Sequence, residues 1–264
     1  MFGAVCGVLT NCMGSMLFVE SIAKKQPGAM NLMTFATFSF ISFVGFFFTM
    51  QMGRKKGYWK VVIMFFIVNV VNNQALNYHV PVPLHIIFSS GSLLASLVMT
   101  VLLEGKRYSV RKYTAVAVIT IGIIVCTLAT SNASWKLQES GMSMTEAQKH
   151  YNEWVIGISM LVFTLFASAY LGILQRRMFR QYGYHTDEAL FVTHAASLPF
   201  FALMSSDIAR SMEALSADVP YVVPFLDITL PVSTLSMEIV LSSIMNYGCI
   251  YHIYHLMAYV DPLS

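Results

Sequence analysis

Charge is scarce in this 264-residue chain: Asp, Glu, Lys and Arg together make up 11% of it, against roughly 25% in a water-soluble globule. With 56% hydrophobic residues and a mean hydropathy of +0.64, that scarcity excludes a soluble enzyme, a secreted disulfide scaffold and a nucleic-acid binder. Cysteine is scarce as well. Cys6, Cys12, Cys126 and Cys249 each sit in an apolar run without CxxC or Cys/His spacing, so they read as small buried hydrophobes, and neither a disulfide nor a zinc site is expected. No HExxH, GxSxG, Walker A or GxGxxG occurs. An intramembrane enzyme or an ATP-driven pump therefore has no residue support, and no cofactor or metal is expected.

What the chain has instead is long apolar runs. A hydrocarbon core of about 30 Å takes about 20 helical residues per crossing, and the runs divide into eight spans at about 1–19, 29–50, 61–78, 83–103, 113–131, 154–174, 189–205 and 231–257. The fold class is all-α, a polytopic membrane helical bundle of about eight transmembrane helices. Trp59, Trp135 and Trp154 all fall at span ends, where an amphipathic ring suits the headgroup level. Eleven of the sixteen basic residues lie in the second, fourth and sixth connections, among them Arg54, Lys55, Lys106, Arg107, Arg176 and Arg177. Those connections should face the cytosol, with the N-terminus on the same side. Only the first span disagrees, with Lys24 and Lys25 after it and no basic residue before it. That same lack of a basic leader argues against a cleaved signal peptide.

The longest connections, 132–153 and 206–230, fall on the opposite, lumenal side. Ser143 and Glu146 have capping-box spacing, which predicts a short surface helix leading into the sixth span. Asn132-Ala133-Ser134 is the one N-glycosylation sequon, close to a span end.

Polar residues inside spans carry the functional information, because hydrocarbon satisfies none of their hydrogen bonds. The third span holds Asn69, Asn72, Asn73, Gln74 and Asn77, and Asn69, Asn73 and Asn77 recur every four residues, along one helical stripe. Interhelical hydrogen bonding and a polar substrate cavity both fit this pattern; five amides in nine residues favour the cavity. The fourth span opens with Pro81 and Pro83, followed by His85, Ser89, Ser90, Gly91, Ser92 and Ser96, which suits close packing or a polar ligand. Thr193 and His194, ahead of Pro199, form a third candidate lining. Gly3, Gly7 and Gly14 read as packing positions in the first span. Glu238, the one acid deep in a span, fits a substrate-linked carboxylate or a paired structural one.

At VVNNQALN (70–77), VPLHIIFSSGSLLAS (82–96) and KRYSVRKYTAV (106–116) the chain resembles the nucleotide-sugar transporters of the UDP-N-acetylglucosamine and UDP-xylose branch, within the drug/metabolite transporter superfamily. The likeness runs from KKQPGAMNLMTFA (24–36) through GILQ (172–175), EALFVTHAASLP (188–199) and ITLP (228–231) to about Ile250. It implies a fold of two five-helix inverted repeats, with the substrate site at their interface near the midplane. It also implies exchange of a nucleotide sugar for a nucleoside monophosphate across a Golgi or endoplasmic reticulum membrane. On that pattern, 1–131 is the first repeat, 132–153 a lumenal loop and 154–264 an incomplete second repeat of three helices, as in a C-terminally truncated form.

The family pattern has Arg where this chain has Ser89, and Tyr-Asn-His where it has Val192-Thr193-His194. A nucleotide sugar brings about two phosphate charges, usually met by a fixed cation, and every basic residue here falls in a connection or at a span end. Lys106, Arg107, Arg176 and Arg177 read as topology determinants or as a rim that attracts the ligand. The expected substrate-binding residues are Asn73, Asn77, His85, Ser89, Ser90 and His194; the expected partners are the nucleotide sugar and the lipid bilayer, with pairing to a second copy left open and no nucleic acid. The second reading is a non-transporting isoform that modulates a full-length partner.

Overall fold

A computed structural model describes residues 2–49, 58–78, 80–81, 84–85, 87–88, 91–105, 107–138, 144–183, 185–216, 218–223 and 228–257. The helices are α1 (Phe2–Lys25), α2 (Met30–Thr49), α3 (Tyr58–Gln74), α4 (Ser92–Glu104), α5 (Val110–Gln138), α6 (Met144–Tyr182), α7 (Thr186–Ala195), α8 (Ser205–Ser216) and α9 (Thr234–Met257). Apolar runs of this length become helices because a helix satisfies its own backbone hydrogen bonds where no water can. Among the described residues, six segments are long and apolar enough to cross a membrane: Gly3–Lys25, Met30–Phe47, Tyr58–Asn77, Val110–Ala129, Gln148–Tyr182 and Thr186–Ser216. Helix also forms where the sequence places the fourth and eighth spans, in α4 and α9. The chain is a multi-pass membrane protein. Val118, Ile121, Ile124, Val125 and Leu128 on α5 are all exposed, as side chains facing lipid should be.

The ends of two helices follow local chemistry. Gly105 (φ 63°) closes α4 and Gly183 (φ 90°) follows α6, both in the left-handed region that glycine enters without a Cβ penalty. Their N–H groups donate to the carbonyls of Val101 at 3.1 Å and Phe179 at 2.9 Å.

The chain forms two compact units, residues 1–66 with 178–264, and residues 67–177. In the first, α1 lies along α9. Small residues allow the approach: a Cβ at Gly248 would stand 2.6 Å from Asn11 Oδ1, and one at Gly7 would collide with the His252 ring. Gly14 faces Met245 in the same way, whereas a Cβ at Gly3 would meet nothing within 4 Å. Cys12 and Cys249 are joined as a disulfide, with their Cα atoms 4.8 Å apart. This corrects the expectation of four unpaired cysteines. Cys spacing cannot reveal it, because the partners stand 237 residues apart and only the helix approach brings them together. Cys6 is exposed on α1, outside this bond.

Polar ties across this unit are few and specific. Glu238 Oε1 on α9 accepts from Ser21 Oγ at 3.0 Å and from Lys25 Nζ at 2.6 Å on α1, so Glu238 is a paired carboxylate. Thr37 on α2 meets Ser243 on α9 at 3.1 Å, and Asn31 donates its amide to Asp207 of α8. The core is aromatic: Phe38 packs against Phe65 at 5.3 Å and edge-on against Phe201 at 5.5 Å.

The connections depart most from expectation. In place of a 206–230 loop, α8 continues the chain and an antiparallel hairpin follows, β1 (Pro220–Val223) with β2 (Ile228–Ser233). The N–H of Leu235 donates to Asp218 at 2.7 Å, which caps the start of α9. The 132–153 loop also shrinks. α5 continues to Gln138 and α6 begins at Met144, so the expected separate surface helix is the first part of α6, while Ser143 lies outside the described residues. At 29 and 39 residues, α5 and α6 are about 43 and 58 Å long at 1.5 Å per residue, well beyond a 30 Å core.

In the unit of residues 67–177, Ala75, Val80, Leu84, Phe88 and Leu161 form a buried core, with Ile123, Ile158 and Met160 against it. Gly157 leaves room for the chain turning out of α3, since a Cβ there would stand 3.0 Å from Tyr78 Cβ.

Candidate functional site

The polar stretch that ends the third span sits at a change of helix type. α3 ends at Gln74 and a 3-10 turn follows over Ala75–Asn77, so the four-residue stripe of amides is not one continuous helical face. Val68 and Asn72, one turn apart, instead face a cavity of about 240 Å³. Phe88 and Ser92 from the fourth span close a second side, and Leu161, Thr164, Leu165 and Ser168 of α6 a third. Those four positions on α6 recur at intervals of three and four residues, the spacing of one helix face.

Among the described residues the polar lining is uncharged: one amide and the hydroxyls of Ser92, Thr164 and Ser168. Thr164 and Ser168 donate their hydroxyl protons to the backbone carbonyls of Leu161 and Leu165, both at 2.9 Å. Their oxygens still have acceptor capacity, and the Asn72 side chain brings both donors and an acceptor. This wall suits sugar hydroxyls or the polar edge of a base. A diphosphate finds no cation among the described lining residues.

Of the residues expected from sequence, His85 touches a residue of this site. It is buried at 4% exposure, and its ring hydrogen-bonds the backbone of Asn72, whose side chain lines the cavity. Asn73 and Asn77 are half-buried and do not line the cavity. The Asn77 amide donates to Gln74 Oε1 at 2.7 Å, while its own carbonyl oxygen is buried without a partner. Ser89 and Ser90 lie outside the described residues.

His194 belongs to the other unit, so α6 supplies the cavity wall that the sequence assigns to the seventh span. There it is fully buried. Its Nδ1 stands 2.7 Å from the Leu190 carbonyl, and its ring packs edge-on against Phe38 and Phe65, both at 4.8 Å.

A second cavity of about 240 Å³ lies within that unit, lined by Ile41, Val44, Gly45, Asp187, Leu190, Phe191, Tyr247 and Tyr251. The one charged group among its described lining residues is the Asp187 carboxylate, which repels phosphate. Among the described residues, no group of three His, Cys, Asp or Glu could hold a metal ion.

The sequence profile of the UAA transporter family matches residues 1–264. The chain belongs to the UAA transporter family. This UAA transporter is 38% identical to the human "Nucleotide sugar transporter SLC35B4" over 253 residues, 94% of this chain and 75% of that protein. It is 36% identical over the same shares to the "UDP-xylose and UDP-N-acetylglucosamine transporter" of Danio rerio. To the "Endoplasmic reticulum GDP-fucose transporter" of Drosophila melanogaster it is 39% identical over 225 residues, 83% of this chain and 64% of that protein. Sequence reasoning passed over Asn72, Thr164 and Ser168. Isolated hydroxyls in an apolar run carry no signal of their own, and among five clustered amides only the packing selects which one looks inward.

Proposed function

We propose that this UAA transporter carries a nucleotide sugar, UDP-N-acetylglucosamine or UDP-xylose, from the cytosol into the lumen of the endoplasmic reticulum or Golgi in exchange for a nucleoside monophosphate. The cargo crosses without chemical conversion. Family membership supports the transport class, and the names of the relatives support the cargo class. The single structural observation that carries the reading is an uncharged polar cavity at span depth, walled by Asn72, Ser92, Thr164 and Ser168. Such a lining is costly in hydrocarbon unless a polar cargo or water uses it.

The residues read from the sequence as substrate-binding, Asn73, Asn77, His85, Ser89, Ser90 and His194, are positions to be replaced singly. The N-terminus is assigned to the cytosol from the basic-residue asymmetry. Vesicles containing the purified chain and preloaded with UMP or GMP should take up labelled UDP-N-acetylglucosamine or UDP-xylose, with GDP-fucose measured beside them. Uptake indifferent to preloading would remove the exchange mechanism, and no saturable uptake of any of the three would remove the reading itself.

A further inference from the structure

The cavity in the unit of residues 67–177 leaves the cargo's charge unaccounted for, and the same unit contains a cation placed to meet it. On α6, Thr164, Ser168, Gly172 and Arg176 recur every four residues; on α4, Ser92, Ser96, Thr100 and Glu104 do the same. Each set lies along one side of its helix. The two sides meet beyond the cavity. Arg176 Nη2 donates to Thr100 Oγ1 at 3.5 Å, and Arg177 Nε stands 4.0 Å from Glu104 Oε1. Thr100 is 1% exposed, so the Arg176 guanidinium reaches into the protein, not outward to the headgroups as a snorkelling arginine would. The guanidinium lies back along the helix beside Gly172: a Cβ there would stand 3.7 Å from Arg176 Nη1, an ordinary contact.

We propose that Arg176 holds the diphosphate of the cargo in the slot between α4 and α6, with the uncharged end of the molecule in the Asn72 cavity. This inference rests on the transport reading for its class of ligand. Thr100 gives its own hydroxyl proton to the Ser96 carbonyl at 2.6 Å, so toward Arg176 it acts as acceptor. One neutral acceptor occupies one of five guanidinium N–H groups. Among the described residues no carboxylate pairs with Arg176, whereas its neighbour Arg177 stands by Glu104.

A guanidinium fork matches phosphate oxygens two at a time. The distances agree. Ser168, in the cavity wall, is eight residues from Arg176, about 12 Å along the helix axis, and the side chain leans back toward it. At about 240 Å³ the cavity is below the 300–1,000 Å³ typical of whole small-molecule sites. It therefore takes one end of a nucleotide sugar and leaves the phosphates along the slot.

The same guanidinium chemistry would bind a lipid phosphate, so the test separates the two sources. The purified chain in discs of zwitterionic lipid is titrated with uridine, UMP and UDP and with the guanosine series, and affinity is read by thermal stabilisation. The expected result is affinity rising with phosphate number in at least one series. Arg176→Gln should weaken the diphosphate ten- to hundred-fold while leaving the nucleoside within about twofold, and Arg176→Lys should recover part of the loss. Arg180→Gln, which removes an equal charge from the same cytosolic segment, should match the wild type. Thr100→Val supplies a second variant that removes the partner while keeping the cation; it should shift the diphosphate affinity and spare the nucleoside.

Equal loss of nucleoside and diphosphate in Arg176→Gln would make the residue structural and overturn the proposal. So would an unchanged ratio, or a response of Arg176→Gln confined to discs containing phosphatidylglycerol. Saturable exchange by a chain whose Arg176→Gln variant keeps the wild-type ratio would sink this inference alone. Absence of both binding and exchange in the wild type would sink the transport reading and this inference together.

Discussion

Asn72 is the side chain on which the cavity depends most, because among the described lining residues it alone carries both amide N–H donors and a carbonyl acceptor. Asn72→Leu keeps the volume and removes the polarity. It should raise the apparent KM for the nucleotide sugar about tenfold, the worth of one hydrogen bond of roughly 1.4 kcal/mol, while thermal stability stays near wild type. A fall in stability with unchanged KM would make Asn72 a packing residue. Glu238 gives the opposite pattern. Its side chain is 13% exposed and Lys25 opposite is 46% exposed, so the pair is partly screened. Glu238→Ala should cost about 1–2 kcal/mol, less than a fully buried pair would, and should lower the melting temperature without altering the KM of the folded fraction. A selective KM effect would return Glu238 to the substrate-linked reading.

At the scale of elements, the pairing of α1 with α9 depends on small residues. Gly248→Val would push a side chain into Asn11, whose Oδ1 already stands 2.6 Å from the position of a Cβ. Overpacking of this kind costs about 1–3 kcal/mol, measurable as a lower melting temperature in detergent. The same approach joins Cys12 to Cys249. Maleimide should therefore label both only after reduction, while Cys6, exposed on α1, labels throughout. Labelling of Cys249 before reduction would contradict the bond.

What was legible in the sequence divides along the same lines. Span positions were legible because hydropathy acts over about 20 residues, and the Gly7 and Gly14 contacts because small residues at helical spacing have one main use. The extensions of α5 and α6 were not, since polar residues outside the membrane can continue a helix as readily as leave it. The inward amide was missed by one position. Asn72 and Asn73 differ by 100° around α3, and nothing local distinguishes them once the 3-10 turn at Ala75–Asn77 interrupts the stripe. The disulfide and the contact of Arg176 with Thr100 were hidden because each needs helices far apart in sequence to meet.

For the molecule as a whole, eleven of sixteen basic residues lie in alternate connections of the sequence, which predicts a cytosolic N-terminus and a lumenal position 140. With the native cysteines replaced, a cysteine at position 140 should resist an impermeant reagent applied to sealed, cytosol-side-out microsomes and react once they are opened; ready labelling before opening would invert the topology. The central claim is exchange transport of a nucleotide sugar, and uptake by vesicles that contain the purified chain tests it most directly. The account predicts saturable uptake of a labelled UDP-sugar that rises severalfold when the vesicles are preloaded with UMP and falls sharply in Asn72→Leu. Uptake no greater than in protein-free vesicles, by a chain shown to be folded, would contradict it.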